Sequence, residues 1–481
     1  MKKILILSMS LLILTGCSKD FLDAQPESTI NDEQLATSPT ASKSILAGIY
    51  SALRSYGLSV AGSHEDYGHK SILAATDLMS NDMLMTKSSW YGSFYNYLGR
   101  QQTNSRSKLA WTIYYPQIRT TNKLIQAIPA DAPTPELKAI RGQALALRGY
   151  FYFMLARMYG PTYVGNETKL CVPLFTEPTV DAKPRATVQE VYKVIESDLK
   201  LAITELEGFT RANKDGLDQS VAQAFLADVY LEMGKYPEAA DFAHKARQNY
   251  TLLTQADWNT GFYDITTGNE TMWGATITSA QSTFVASFFS HFDNTNDSGY
   301  AGGLGIYKNI DKNMYESISN TDYRKKAFVP PAGSTTYPSL PAYANTKFRD
   351  PTIDSGDYIY IRSASLYYIE AEALARSGNE GTAKQVLYDI TITRDPAYVL
   401  STKTGTALIN EIVLQKRIEL WGEGYAWFDM KRLGVALNRD YVGSNHPSFG
   451  KFNIPAGDNK FIFQVPQAEI DANPLIVQSP L

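Results

Sequence analysis

"SVAQAFLADVYLEMGKYPEAADFAHKA", residues 220 to 246, sets the reading of everything around it. Ala227, Gly234 and Ala239 place small side chains where two antiparallel helices would need to approach closely. The same intervals of seven and five residues return at Ala371, Gly378 and Ala383, inside "YYIEAEALARSGNEGTAKQVL". One helix pair therefore occurs at least twice.

Each copy resembles a tetratricopeptide repeat, yet the two stand much further apart than the period of about 34 residues in a tandem array. The fold class is mainly α: tetratricopeptide-like helix pairs, interrupted by long loop and short-strand insertions. Working outward, Leu137, Ile140, Ala144, Leu147, Phe151, Leu155 and Met158 recur at three- and four-residue steps through residues 134 to 160. Thr134 caps that helix, Pro135 fits its first turn and Gly160-Pro161 ends it. Thr187 and Glu190 make a capping-box pattern ahead of a second amphipathic run. Residues 251 to 362 change character. They are rich in Gly, Asn, Thr and aromatics without a helical period, and read as short strands and long loops. A helical frame that projects irregular loops usually carries its function on them.

The chain begins "MKKILILSMSLLILTGCSKDF", a positive pair followed by an apolar run too short to span a membrane, which is the pattern of a signal peptide over residues 1 to 16. Leu14-Thr15-Gly16-Cys17 resembles the lipobox of bacterial lipoproteins, so Cys17 is the expected lipidated N-terminus and the lipid the only membrane contact. With Cys17 acylated, Cys171 has no partner and no disulfide is expected. Residues 17 to 38, polar with few apolar residues, read as a tether. Residues 39 to 481 read as one body: a helical part (39 to 250), a loop-rich insertion (251 to 362), and a helical part ending in a brace (363 to 481). The net charge of -4 becomes more negative when Lys2 and Lys3 leave with the leader, which gives nucleic acid no basic footprint.

Several ordered segments resemble the SusD/RagB family of lipoproteins. They include the lipobox, "SNDMLM" (80 to 85), "WTIYYPQIRTTNKLI" (111 to 125) and the long helix ending "LARMYGP". "AFLADVYLEMGKYPEAA", "TDYR" (321 to 324), "YIEAEALARSGN" (368 to 379), "LQKRIELWGEGYAWFDMKRLG" (414 to 434) and the tail "VPQAEIDANPL" (465 to 475) continue the series. The resemblance implies about four tetratricopeptide-like units and an outer-membrane, surface-exposed lipoprotein. It also implies a lid on a SusC-like TonB-dependent transporter that receives glycans or, in some members, peptides.

No motif calls for catalysis, cofactor or metal. His64 and His69 in "SHEDYGHK" are five apart, where a helical zinc pair needs four, and read instead as part of an exposed polar loop. "DNTNDSG" (293 to 299) carries Ser298 and Leu304 where a calcium loop needs Gly and Glu. "AGGLG" lacks the phosphate-loop lysine, and no G-x-S-x-G is present. The chain is read as a non-enzyme.

Capture of a sugar needs flat rings with polar handles, and Tyr (31) outnumbers Phe (20) and Trp (6). "KSSWYGSFYNYLGR", residues 87 to 100, packs Trp90, Tyr91, Phe94, Tyr95 and Tyr97 into eight positions. Trp90 and Tyr91 are the expected platform, Tyr95 and Asn96 their neighbours, and Asn296 and Tyr300 in the second insertion the opposing wall. Phe94 and Tyr97 are assigned to the core, as are Trp421, Trp427 and Phe428. Lys70, Asn81 and Asp82 are read as structural caps. Two alternatives to glycan capture stay open: peptide capture, and a scaffold without a small ligand.

Overall fold

A computed structural model describes residues 30 to 352 and 355 to 480. The expected leader and Cys17 lie outside the described residues. Part of the stretch expected as tether, residues 17 to 38, falls among the described residues, and there it is ordered structure. Asp32–Thr37 is helical, started by a reciprocal cap between Asn31 and Gln34, and Leu35 is buried.

The frame is a row of helices in which each packs on the next: Leu109–Ala127, Pro135–Tyr159, Val188–Glu205, Gln219–Glu232, Tyr236–Arg247, Ala364–Arg376, Glu380–Arg394 and Gly405–Glu419. The two repeat copies, far apart in sequence, are adjacent in space because Tyr236–Arg247 packs directly on Ala364–Arg376. Their turns are built alike. Gly234 (φ +72°) and Gly378 (φ +87°) take the left-handed conformation that glycine tolerates. The next amide in each, Lys235 and Asn379, donates back to the carbonyls of Tyr230 and Leu374. Ala227, Ala239, Ala371 and Ala383 are all sealed, as close helix packing requires.

Thr134 accepts from the Leu137 amide and Gly160 caps the C-terminus of the long helix. A side chain at Gly160 would strike the Cys171 sulfur and the Ala156 carbonyl. Cys171 is buried and unpaired. The amphipathic stripe expected of this helix is not what forms. From Gly142 to Tyr159 every residue is buried, because helices cover it on more than one side. Its charges are matched individually: Arg148 grips Asp198 through two bonds of 2.7 Å, and Arg157 meets Asp228 at 3.0 Å while lying over Phe153 and Phe428.

One antiparallel ribbon, Thr271–Ala275 on Tyr358–Arg362, pairs a strand early in the insertion with its last residues, just before the helical row continues at Ala364. A second ribbon, Met83–Met85 on Lys308–Ile310, stitches it to the N-terminal part. The insertion also supplies core. Trp258, Trp273, Phe288 and Phe292 are buried, and so are Trp421, Trp427 and Phe428 as expected.

A fully buried ion cluster locks the insertion to the C-terminal helices. The Glu419 carboxylate takes Arg324 and Arg362 at 3.0 Å and Arg394 at 3.1 Å. Glu270 joins Arg362 and Arg394, and Glu423 takes Arg362 and Lys347 at 2.6 Å each. Burial alone would raise the Glu423 carboxyl, but Arg362 and Lys347 outweigh it and hold it at about 2. The tail is a strap: the amides of Phe463, Gln464 and Gln467 donate to the carbonyls of Met158, Arg100 and Gln102.

Candidate functional site

The run from residue 87 to 100 folds neither as one helix nor as an open loop. A single turn, Gly92–Tyr95, is bracketed by Tyr91 (φ +70°) and Tyr97 (φ +65°), both left-handed. Such geometry costs a non-glycine residue on the order of 1–2 kcal/mol and persists only where surroundings hold it. At Tyr91 the holding group is the buried Glu65, whose carboxylate accepts the Tyr91 amide and also pairs with Arg106. The reversal sends successive rings opposite ways: Tyr91 goes inward and Trp90 stays half-exposed.

Trp90 stacks on His64, with centroids 5.3 Å apart and planes 22° apart. His64 Nδ1 is hydrogen-bonded to the Tyr300 hydroxyl at 2.6 Å, and the Tyr300 ring meets Trp90 edge-on at 6.3 Å. Tyr300 is backed by the buried His291, stacked at 4.8 Å with planes 4° apart. His291 Nε2 donates to the His64 carbonyl at 2.9 Å, which fixes its tautomer. Burial, reinforced by Lys308, lowers His291 to about 3, so the ring is neutral in this role. Arg106 lies over the Trp90 ring at 5.9 Å, and Tyr56, 37 % exposed, meets His64 edge-on. The result is a rim of partly exposed rings whose orientations are set from behind, a surface suited to flat apolar faces bearing polar edges.

The expected pair Trp90 and Tyr300 is thus brought together. Tyr91 and Tyr95, expected beside them at the surface, are instead sealed. Tyr91 donates its hydroxyl to Tyr67 at 2.5 Å. Tyr95 bonds His446 at 2.6 Å beneath Arg439, with the Gly450 backbone against its ring. Their large apolar area is better removed from water than shown to it. Asn96 and Asn296 are half-buried, and each side-chain oxygen accepts the amide two residues on, Leu98 and Ser298. Both oxygens shape turns.

Phe94 and Tyr97 are in the core. Lys70 donates to the Ile359 carbonyl, Asn81 to that of Ala436, and Asp82 holds Arg417, all structural bonds. His69 is no part of an exposed loop: it is buried against Tyr114 and Tyr150, and burial with help from Lys70 lowers it to about 3. Asp293, first in the calcium-like stretch, is occupied by the amides of Thr295 and Asp350. Among the described residues no group of three or more His, Cys, Asp or Glu could hold a metal.

His64, Arg106 and Tyr56 were not legible as site residues. The one signal was a histidine in a polar stretch, and only the fold puts it under Trp90.

Two family models cover the chain: one described as "SusD family" matches residues 210–481, and one described as "Starch-binding associating with outer membrane" matches residues 20–231. The SusD-like protein P38 of Formosa agariphila is 25 % identical, over 89 % of this chain and 90 % of its own. A SusD-like carbohydrate binding protein from Bacteroides vulgatus superposes with a TM-score of 0.79 at 24 % identity, over 92 % of this chain and 97 % of that one. A laminarin binding SusD-like protein gives 0.67 at 20 % identity, over 92 % and 99 %. These two likenesses show a shared fold.

Proposed function

The chain belongs to the SusD family, and from that premise we propose that it is a lipid-anchored protein of the outer cell surface that captures oligo- or polysaccharide. In the same proposal it passes the glycan to a SusC-like TonB-dependent transporter, Cys17 carries the lipid, and residues 39–481 act as one receptor body. The family is outer-membrane associated by its description, and among the described residues no helix is long and apolar enough to cross a membrane. Similar folds named for carbohydrate and laminarin binding support the ligand class.

The observation that carries the reading is the rim of Trp90, His64 and Tyr300. Two or three rings at about 1 kcal/mol each, with a few hydrogen bonds, give millimolar to micromolar capture. That strength lets a receptor release what it holds. Nothing in the role needs a bond broken, and the rim has the rings and donors for binding alone.

The test is titration of the chain from residue 18 against a panel of neutral oligosaccharides and oligopeptides, with Trp90→Ala alongside. A saccharide that binds the parent chain and at least tenfold more weakly to Trp90→Ala supports the proposal. Binding confined to peptides, or saccharide binding indifferent to Trp90, overturns it. Co-purification with a large outer-membrane barrel tests delivery separately.

A further inference from the structure

The insertion holds a second concavity, open to solvent and about 330 Å³ in volume, lined by Tyr315, Lys325, Lys326, Ser334, Thr336 and Tyr337 among others. Two enclosed cavities in the core, about 30 and 10 Å³, have room for little more than single waters, whereas this one reaches the lower end of the ligand-pocket range. Its lining contains two lysines and neither Asp nor Glu, on a chain whose net charge is -4.

The two lysines differ in what they have left to give. Lys325 is pinned: its ammonium donates to the Ile318 carbonyl at 2.7 Å and the Asn320 side chain at 2.9 Å, over the Tyr315 ring. Neither partner is an anion, so its charge stays uncompensated. Lys326 is exposed and, among the described residues, has no ion-pair partner. On the opposite wall the Ser334 hydroxyl accepts the Tyr337 amide, and Tyr337 stands half-buried with its hydroxyl facing Arg349 at 3.5 Å. A fixed positive charge, a free one, hydroxyls and a tyrosine face in one groove match a sugar ring that carries an anion.

The groove is tied to the Trp90 rim by a short segment. Tyr307 packs with Tyr337 on Val329, Leu340 and Ala344, and it lies seven positions after Tyr300, at most about 25 Å of extended chain.

We propose that this groove is a subsite for an acidic sugar, a uronate or a sulfate ester, with Lys326 as the anion's principal partner and Lys325 as fixed charge. The proposal rests on the glycan reading above and deepens it, because it names the chemical class of one part of the ligand.

The probes are an oligogalacturonate, a sulfated oligosaccharide, a neutral oligosaccharide of equal length and an oligoglutamate, each titrated at low and at physiological salt into the chain from residue 18. At least one acidic saccharide should bind more tightly than the neutral one and weaken with salt. Lys326→Glu should weaken that binding about tenfold while Lys326→Arg retains it, with unchanged thermal unfolding because the side chain is exposed. Which acidic probe responds distinguishes carboxylate from sulfate. Equal binding of neutral and acidic saccharides, or acidic binding untouched by Lys326→Glu, overturns the inference. Preference for oligoglutamate also overturns it, in favour of an acidic peptide. Acidic-saccharide binding that is lost in Trp90→Ala and intact in Lys326→Glu would sink this subsite alone and leave the glycan reading standing.

Discussion

Trp90 and Tyr91, neighbours in the chain, face opposite ways: Tyr91 is fully buried with its hydroxyl on Tyr67, while Trp90 remains half-exposed on His64. The left-handed backbone at Tyr91 makes the split possible, and Glu65 holds it there. Substitutions at the two positions should therefore separate stability from binding. Tyr91→Ala should cost about 3–5 kcal/mol in urea unfolding. Trp90→Ala should cost about 1 kcal/mol and take most of its effect on saccharide affinity. Equal destabilisation by both would mean that Trp90 is a core residue.

Tyr300→Phe keeps the ring over His291 and removes only the hydroxyl that meets His64. The expected loss of stability is about 0.5–1.5 kcal/mol. Affinity for a neutral oligosaccharide should fall severalfold, since His64 and the Trp90 ring stacked on it are less firmly oriented. Unchanged affinity with lowered stability would assign Tyr300 to loop packing.

Much of the frame was legible because local rules and tertiary packing agree. The cap at Thr134 and the reciprocal bonds of Thr187 and Glu190 form as their spacing predicts, and Ala227, Ala239, Ala371 and Ala383 are sealed between helices. Gly234 and Gly378, read as points of close helix approach, instead take left-handed turn positions, with open space beside Gly378. Adjacency of the two repeats was not legible, since spacing along the chain says nothing of a ribbon that closes the intervening insertion. The site was half legible. Trp90 and Tyr300 stood out as rings in glycine-rich surroundings, but Tyr91 and Tyr95 have the same composition around them. Only long-range partners, Tyr67 for one and His446 for the other, decide which rings turn inward.

Two glycines with nearly the same backbone should respond very differently to alanine. Gly378 (φ +87°) has open space where a Cβ would go, so Gly378→Ala should cost only the left-handed penalty, on the order of 1–2 kcal/mol. Gly422 (φ +81°) lies against the buried Phe348 ring, so Gly422→Ala adds an overlap that the packed core resists, and a further 1–3 kcal/mol or so is expected. Matched losses in urea unfolding would mean that the core at Phe348 yields easily.

Removing the hub of the ion cluster should be severe. Glu419→Gln leaves Arg324, Arg362 and Arg394 buried with less negative charge to meet them, at a cost of about 3–5 kcal/mol. An isosteric variant that unfolds like the parent would show that Asp322, Glu270 and Glu423 suffice for the three arginines.

The same burial sets an acid limit, and its sign follows from which state takes up protons. Glu423 ionises at an ordinary 4.5 when unfolded and at about 2 when folded, so its contribution is complete above pH 4.5 and is lost as pH falls toward 2. His69 and His291, ordinarily 6.5 and lowered to about 3 by burial, stay neutral in the fold while the unfolded chain protonates, so stability also drains from pH 6.5 down to 3. Asp77 works in the other direction: burial raises it to about 7, so it erodes stability as pH rises from 3.8 toward 7. Of these four groups, the two histidines outweigh the aspartate on acidification, and below pH 4.5 the glutamate adds to the loss. Asp66, Asp198 and Asp357, raised by burial, work with Asp77, while Glu419, Glu372 and Asp429, which burial would raise but their cationic partners lower, work with Glu423. Urea midpoints at pH 7.5, 5.5 and 3.5 should fall in that order. Asp77→Asn should steepen the decline, because it removes one of the groups that oppose it while keeping an oxygen for the Ala426 amide. A midpoint that holds steady to pH 3.5 would require these histidines to titrate as exposed ones do, and would place them outside the core.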